Sequence, residues 1–231
     1  MNSSVIDSIQ FSIWGPDDIR DYSVVEVTKS DTYDKDTPVI KGPFDPRMGV
    51  IDIGKVCKTC GQKNTDCPGH FGHIELAIPI INYQFINQLK KVLKCVCFRC
   101  SKLLVNKNSQ IIQNLLDKDN KTRFQAICDM SSKIKRCGQE TEDGCGAKQP
   151  KKYFKNPGIS DIYAEWDSLE ANILGEGMSD VDTVAKKQLL PTEYLYQLLE
   201  RITDEDSDIL GFQSQWTRPE WLIHTVLPVP P

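Results

Sequence analysis

The spacing of hydrophobic positions along this chain changes in steps, and each step marks an element. The run HIELAIPII from His73 is rich in β-branched residues and predicts a strand. Directly after it, Phe85, Ile86, Leu89, Val92, Leu93 and Val96 recur at helical spacing within NYQFINQLKKVLKCV, which predicts an amphipathic helix. Ile111 to Leu116 and Lys121 to Met130 read as further helix. Beyond Pro191 the run TEYLYQLLERI predicts another amphipathic helix, with Thr192 as candidate N-cap. RPEWLIHTVLPVPP is strand-like and closed by prolines. Before His73, short apolar stretches (IQFSIWGP, YSVVEVTKS, KGPFDPRMGVIDIG) are broken by Gly and Pro, as in short strands or helices between loops. A short helix opens at Gly15 or Pro16 within Ser12 to Arg20. Pro150 to Lys187 is polar and mixed, with Gly175 and Gly177 close together, and is expected to be an insertion or loosely ordered arm.

These elements make an α+β chain of small, irregular pieces. Four segments are expected: residues 1–82, irregular with one strand; 83–150, helical; 151–190, the variable arm; and 191–231, a helix plus a strand. A mostly irregular first half needs something other than a large core to hold it.

The cysteines supply a candidate. All nine lie between Cys57 and Cys145. Without a secretory signal, such a cluster points to metal rather than disulfides, because intracellular compartments keep thiols reduced. Cys57-Lys-Thr-Cys60 is followed after six residues by Cys67-Pro-Gly-His70. Two short loops of this kind can place four donors around one ion, and three thiolates plus an imidazole leave no position for water, so the role is structural. His73 competes with His70, but C-x-x-H repeats the compact loop and favours His70. The second constellation is Cys97-Phe-Arg-Cys100 with Cys137 and Cys145, across an excursion of 36 residues. Cys95 competes with Cys97, although its spacing to Cys100 makes a poorer loop. Two such sites use seven cysteines and one histidine, leaving Cys95 and Cys128 in apolar helical surroundings, where a buried small hydrophobe is the simpler role.

Two other patterns carry chemistry on paper. His73-Ile-Glu75 with Cys97-x-x-Cys100 mimics the H-x-E plus C-x-x-C of a zinc deaminase, but Val96 stands where that pattern has Pro, and five clustered cysteines would be stranded. Asp204-Glu-Asp206-Ser-Asp208 resembles a calcium loop but has Ile209 at the Gly position and Gln215 at the final Glu position. A solvated turn is expected there.

Net charge is −4, unevenly spread. Lys55 to Lys152 holds 18 Lys and Arg against 8 Asp and Glu, and the remainder 10 against 24. The basic middle suits either polyanion contact or a plain solvated surface. Lys90, Lys91, Lys94, Arg99, Lys133, Lys135 and Arg136 are the candidate nucleic-acid residues. No run approaches the ~20 apolar residues of a membrane span, and a soluble intracellular protein with no membrane partner is expected.

The strings DPRMGVIDIGKVCKTCGQKNTDCPGHFGHIELAIPI, KVLKCVCFRCSKLLV, CGAKQP and RPEWLIHTVLPVPP, in this order, resemble the N-terminal region of the largest subunit of archaeal and eukaryotic-type multisubunit DNA-directed RNA polymerases, large DNA virus enzymes included. The likeness covers about Ile9 to Gln149 and Pro191 to Pro231. It implies a mobile zinc-stapled clamp with two structural Zn²⁺. The expected partners are the second-largest and smaller subunits, template DNA, nascent RNA, and initiation or elongation factors. The location would be the nucleus for a cellular eukaryotic enzyme, or a virion or cytoplasmic virus factory for a viral one. The catalytic N-A-D-F-D-G-D loop of that family, which holds Mg²⁺, is not found here, so no catalytic residue is expected in this chain. A free-standing zinc-binding transcription module is the alternative.

Overall fold

A computed structural model describes residues 5–7, 9, 11–155, 161–166, 187–213 and 216–231. The elements run α1 (Pro16–Tyr22), β1 (Tyr33–Asp34), β2 (Thr37–Pro38), β3 (Gly72–Ile81), a 3₁₀ turn (Tyr83–Phe85), α2 (Ile86–Cys95), α3 (Gln110–Leu116) and α4 (Asn120–Ser131). They continue with β4 (Lys152–Lys155), β5 (Ile162–Glu165), β6 (Lys187–Leu190), α5 (Thr192–Glu200), α6 (Asp204–Ile209), a second 3₁₀ turn (Pro219–Leu222) and β7 (Ile223–Val229). Small helices and short strands are mixed throughout, as the α+β reading requires.

The longest strand among the described residues, β3, pairs antiparallel with β7, from Gly72 opposite Val229 to Ile81 opposite Ile223. The register slips between Glu75 and Ile80. Pro79 lies in that interval and has no N–H to give the ladder. Helix α1 packs on this pair, and Arg20 Nε donates to Glu75 Oε1 at 2.7 Å to tie the two together.

Helix α2 begins after the 3₁₀ turn, whose cap Asn82 accepts from the Gln84 amide. Its periodic residues do what their spacing demands. Ile86, Leu89, Val92 and Leu93 are buried in a continuous core with α4, α5, α6 and β7 residues. Each such side chain contributes roughly 1.5–3 kcal/mol through burial. A smaller cluster of Val25, Val27 and Met48 lies under the irregular first part, with Ile74 and Val229 against it.

Three expectations change. Part of the 151–190 segment is ordered: β4, β5 and β6 form a three-stranded antiparallel sheet with Tyr153, Ile162, Ala164 and Leu190 buried. Gly175 and Gly177 lie outside the described residues. Thr192 is the first residue of α5 rather than its cap; Pro191 precedes it, with no side-chain cap bond. Asp204 to Asp208 is not a solvated turn but the start of α6, capped by Thr203 Oγ1 accepting from the Asp206 amide. Three acidic residues in its first turn complement the helix dipole.

Candidate metal centres

The structure builds each tetrad from repeated knuckles. In the first, the Cys57 amide donates to Gln62 O at 2.9 Å and the Gly61 amide to Cys57 O at 2.8 Å. This tight turn places Gly61 at φ 71°, a left-handed conformation that glycine adopts without strain. The second site copies it: Cys97 N to Lys102 O at 2.8 Å and Ser101 N to Cys97 O at 2.9 Å, with Ser101 itself at φ 63°. The third knuckle closes around a longer loop, Cys137 N to Ala147 O at 2.9 Å and Gly146 N to Cys137 O at 3.1 Å. In both C-x-x-C loops a backbone amide also aims at the first sulfur, Thr59 N to Cys57 Sγ and Arg99 N to Cys97 Sγ, each at 3.4 Å.

These loops bring together Cys57, Cys60, Cys67 and His70, and separately Cys97, Cys100, Cys137 and Cys145, with all ligand atoms in each group within 4.8 Å of one another. Sulfur pairs Cys60–Cys67, Cys97–Cys145 and Cys100–Cys137 stand 3.6 Å apart. A tetrahedron with metal–sulfur bonds of ~2.3 Å has an edge of ~3.8 Å, so the spacing fits one ion per tetrad. The His70 Nε2 atom is buried without a hydrogen-bond partner among the described residues. A polar nitrogen in that state, grouped with three sulfurs, fits the fourth ligand of the first centre. Burial pushes the Cys97 thiol up to about 11 and raises that of Cys137 further. A divalent cation held by the tetrad would offset that cost by pairing with the thiolate forms.

The surroundings hold the ligands in place. Asp45 is buried and accepts from Arg47 Nη2 at 2.7 Å, Arg47 Nε at 2.9 Å and the Lys41 amide at 2.6 Å. This fixes a loop that reaches the first knuckle through Lys58 N to Pro46 O at 3.0 Å, Thr59 Oγ1 to Arg47 O at 2.7 Å and His70 N to Met48 O at 2.8 Å. At the second centre, Gln149 Nε2 donates to Cys97 Sγ at 3.2 Å and to Ala147 O at 2.9 Å, while Gln149 Oε1 accepts from Phe98 N at 3.2 Å. Lys102 Nζ bonds Asp143 Oδ2 at 2.7 Å and Asp143 O at 3.0 Å, drawing the 137–145 loop onto the C-x-x-C knuckle.

Over this geometry a family model can be laid. The model described as RNA polymerase Rpb1, domain 1 matches residues 3–231. The chain belongs to that family. Membership ties it to transcription by a multisubunit RNA polymerase. The D-P-R-x-G string of the resemblance is, in three dimensions, the Asp45 to Gly49 loop that frames the first tetrad. CGAKQP carries both a member of the second tetrad, Cys145, and Gln149, which donates to the sulfur of another member, Cys97.

The other sequence candidates fall elsewhere. His73 Nδ1 lies 2.7 Å from Ser23 Oγ, and Glu75 is held by Arg20, so the H-x-E pair joins neither tetrad. Cys95 and Cys128 are buried, with Sγ atoms 3.1 Å apart, also outside both tetrads. Of the seven basic candidates, Lys91, Lys94, Arg99, Lys133, Lys135 and Arg136 are exposed and Lys90 is half-buried. Lys91 Nζ already donates to Gln125 Oε1, and Arg136 Nη1 to Gly146 O. Sequence reasoning missed Asp45, Arg47 and Gln149 as supports, because nothing in a lone Gln or an Asp-Pro-Arg string announces a bond to a ligand loop.

Proposed function

We propose that the chain is the clamp segment of a DNA-directed RNA polymerase largest subunit, stapled by two Zn²⁺, and that it retains DNA and the DNA–RNA hybrid without doing chemistry. The observation that carries the reading is the pair of tetrads with tetrahedral sulfur spacing in a chain of this family. Nitrogen and thiolate donors suit Zn²⁺, and closed four-ligand sites serve structure. Zinc at the second centre locks Cys97 and Cys100 to Cys137 and Cys145, fixing the basic loop of Lys133, Lys135 and Arg136 beside α2. Sequence-independent phosphate contact from these residues and from Lys90, Lys91, Lys94 and Arg99 would hold nucleic acid electrostatically.

Nucleotidyl transfer requires carboxylates converging on Mg²⁺. Asp204 and Asp206 do not converge on anything of that kind: Asp204 pairs with Arg218, and Asp206 is buried near Lys107. The catalytic Mg²⁺ belongs to another part of the enzyme, and the partners are the second-largest and smaller subunits, template DNA, nascent RNA and transcription factors, within the cell.

The test is an assembled polymerase carrying Cys137→Ser. Elongation complexes should dissociate faster in a salt challenge, while the rate of nucleotide addition in surviving complexes stays near that of the parent. Unchanged complex lifetime would overturn the retention role. Primer extension by the 231-residue chain alone, with and without Asp206→Ala, should show no incorporation in either.

A further inference from the structure

The β4–β5–β6 sheet carries an arrangement that its core does not require. Tyr153 pairs with Ala164 and Ile162 with Leu190, all four buried, so these rows face inward. The alternate rows, Phe154–Tyr163–Leu189 and Lys152–Glu165–Lys187, face the other side. Solvent faces of one-sided antiparallel sheets are ordinarily polar. Here the Phe154 and Tyr163 rings stack with centroids 5.6 Å apart and planes 18° from parallel, and Leu189 beside them is 43% exposed. Lys187 Nζ lies 5.2 Å from the Phe154 ring centre. Lys152 and Lys187, in the outer row, are exposed and form no ion pair with a described residue. Among the described residues one carboxylate, Glu165, shares the face, in the row between Lys152 and Lys187.

A partner for this face needs flat apolar surfaces and a line of negative charge at matching distance. Single-stranded nucleic acid has both: unpaired bases stack on aromatic rings while phosphates meet ammonium groups. A duplex offers the charge but keeps its base faces stacked inside. An acidic protein segment would answer the lysines and leave the aromatic row without a matching surface. We propose that the outer face of β4–β5–β6 binds single-stranded nucleic acid, with bases on Phe154 and Tyr163 and phosphates on Lys152 and Lys187. On binding, Lys187 exchanges its place over the Phe154 ring for a phosphate, and a base takes the ring. The site deepens the nucleic-acid reading above but lies on other elements than α2 and the Lys133–Arg136 loop.

The experiment uses the zinc-loaded chain and end-labelled oligouridylate or oligothymidylate of about twelve nucleotides, inside the common span of single-strand sites, read by fluorescence anisotropy. Replacing one stacking ring with alanine weakens binding by roughly 5- to 150-fold. Phe154→Leu/Tyr163→Leu should therefore bind at least roughly tenfold more weakly, while duplex binding is unchanged. Lys152→Gln/Lys187→Gln, both at solvent positions, should shrink the slope of log K against log salt by about 0.7 for each phosphate no longer neutralised. The ribose and deoxyribose arms separate RNA from DNA as the strand preferred. Unchanged single-strand affinity in the aromatic variant, with metal content intact, overturns the proposal. If that variant does not fold, an unchanged salt slope in the lysine variant overturns it instead. Single-strand binding abolished in Lys90→Gln/Lys91→Gln/Lys94→Gln but kept in both sheet variants would leave the general reading standing and reject this face. Equal competition by duplex, or displacement by an acidic peptide, would also reject this face.

Discussion

Cys95 Sγ sits 3.1 Å from Cys128 Sγ, joining α2 to α4 inside the core and outside both tetrads. The contact with Cys128, together with burial, holds the Cys95 thiol well above its usual range, so it stays neutral. Cys95→Ala/Cys128→Ala is expected to keep two zinc ions per chain and to lose about 1 kcal/mol per site. Cys97→Ala should drop the count to one. Elemental analysis of the purified variants decides between these outcomes, and native alkylation should spare Cys95.

Gln149 is the support to remove at the second centre. Gln149→Leu keeps the bulk but takes away the bonds to Cys97 Sγ and Phe98 N. Losing such a support to a metal ligand typically weakens affinity by roughly 10–100-fold. A chelator titration should show the second zinc leaving earlier than in the parent, with the first unchanged; both leaving together as in the parent would contradict it.

Gly144 makes the return to Cys145 possible. A Cβ there would lie 2.1 Å from Gly138 Cα, closer than any real contact, between two stretches of backbone. Gly144→Ala should open the loop and lower zinc at the second centre alone. Gly61→Ala meets nothing within 4 Å and strains only a left-handed φ of 71°. It should cost about 1–2 kcal/mol, the cost of a left-handed backbone for a residue with a Cβ, and keep its zinc.

Asp45 gives the first centre a pH dependence besides that of its ligands. The Arg47 guanidinium, outweighing the effect of burial, and the Lys41 and Arg47 amides hold its carboxyl far below the ordinary carboxylate range. Because the folded value is depressed, the stabilisation is present above the unfolded value of about 4 and fades as pH falls towards the folded one. Asp45→Asn should cost about 1.5–3 kcal/mol at neutral pH, as for hydrogen bonds to a charged group. The difference from the parent in urea unfolding should narrow below about pH 4; a constant difference down to strong acid would remove Asp45 from the account.

Sequence legibility followed the range of the forces involved. The α2 spacing put Leu89 and Val92 in the core, and the C-x-x-C and C-x-x-H loops gathered their own donors, because both depend on near neighbours. β4 and β5 were hidden in a polar stretch: each has four residues, and Tyr153 is the only one of β4 that is buried. α6 was obscured by its acidic run, although Thr203 directly before it is a good cap and acidic first turns suit a helix. The Gln149–Cys97 bond spans 52 residues and has no local signature at all.

The pairing of β3 with β7 sets a clock on synthesis. Ile81 meets Ile223, about 140 residues later in the chain. At ~5–20 residues per second, a ribosome leaves the β3 edge unmatched for roughly 7–30 s. Over that interval the first knuckle has all four of its donors, but the strand leaving it still shows a bare row of N–H and C=O groups, with Ile78 and Ile80 exposed even in the finished fold. A nascent chain of this kind is one that chaperones, or early zinc supply, must carry as far as β7.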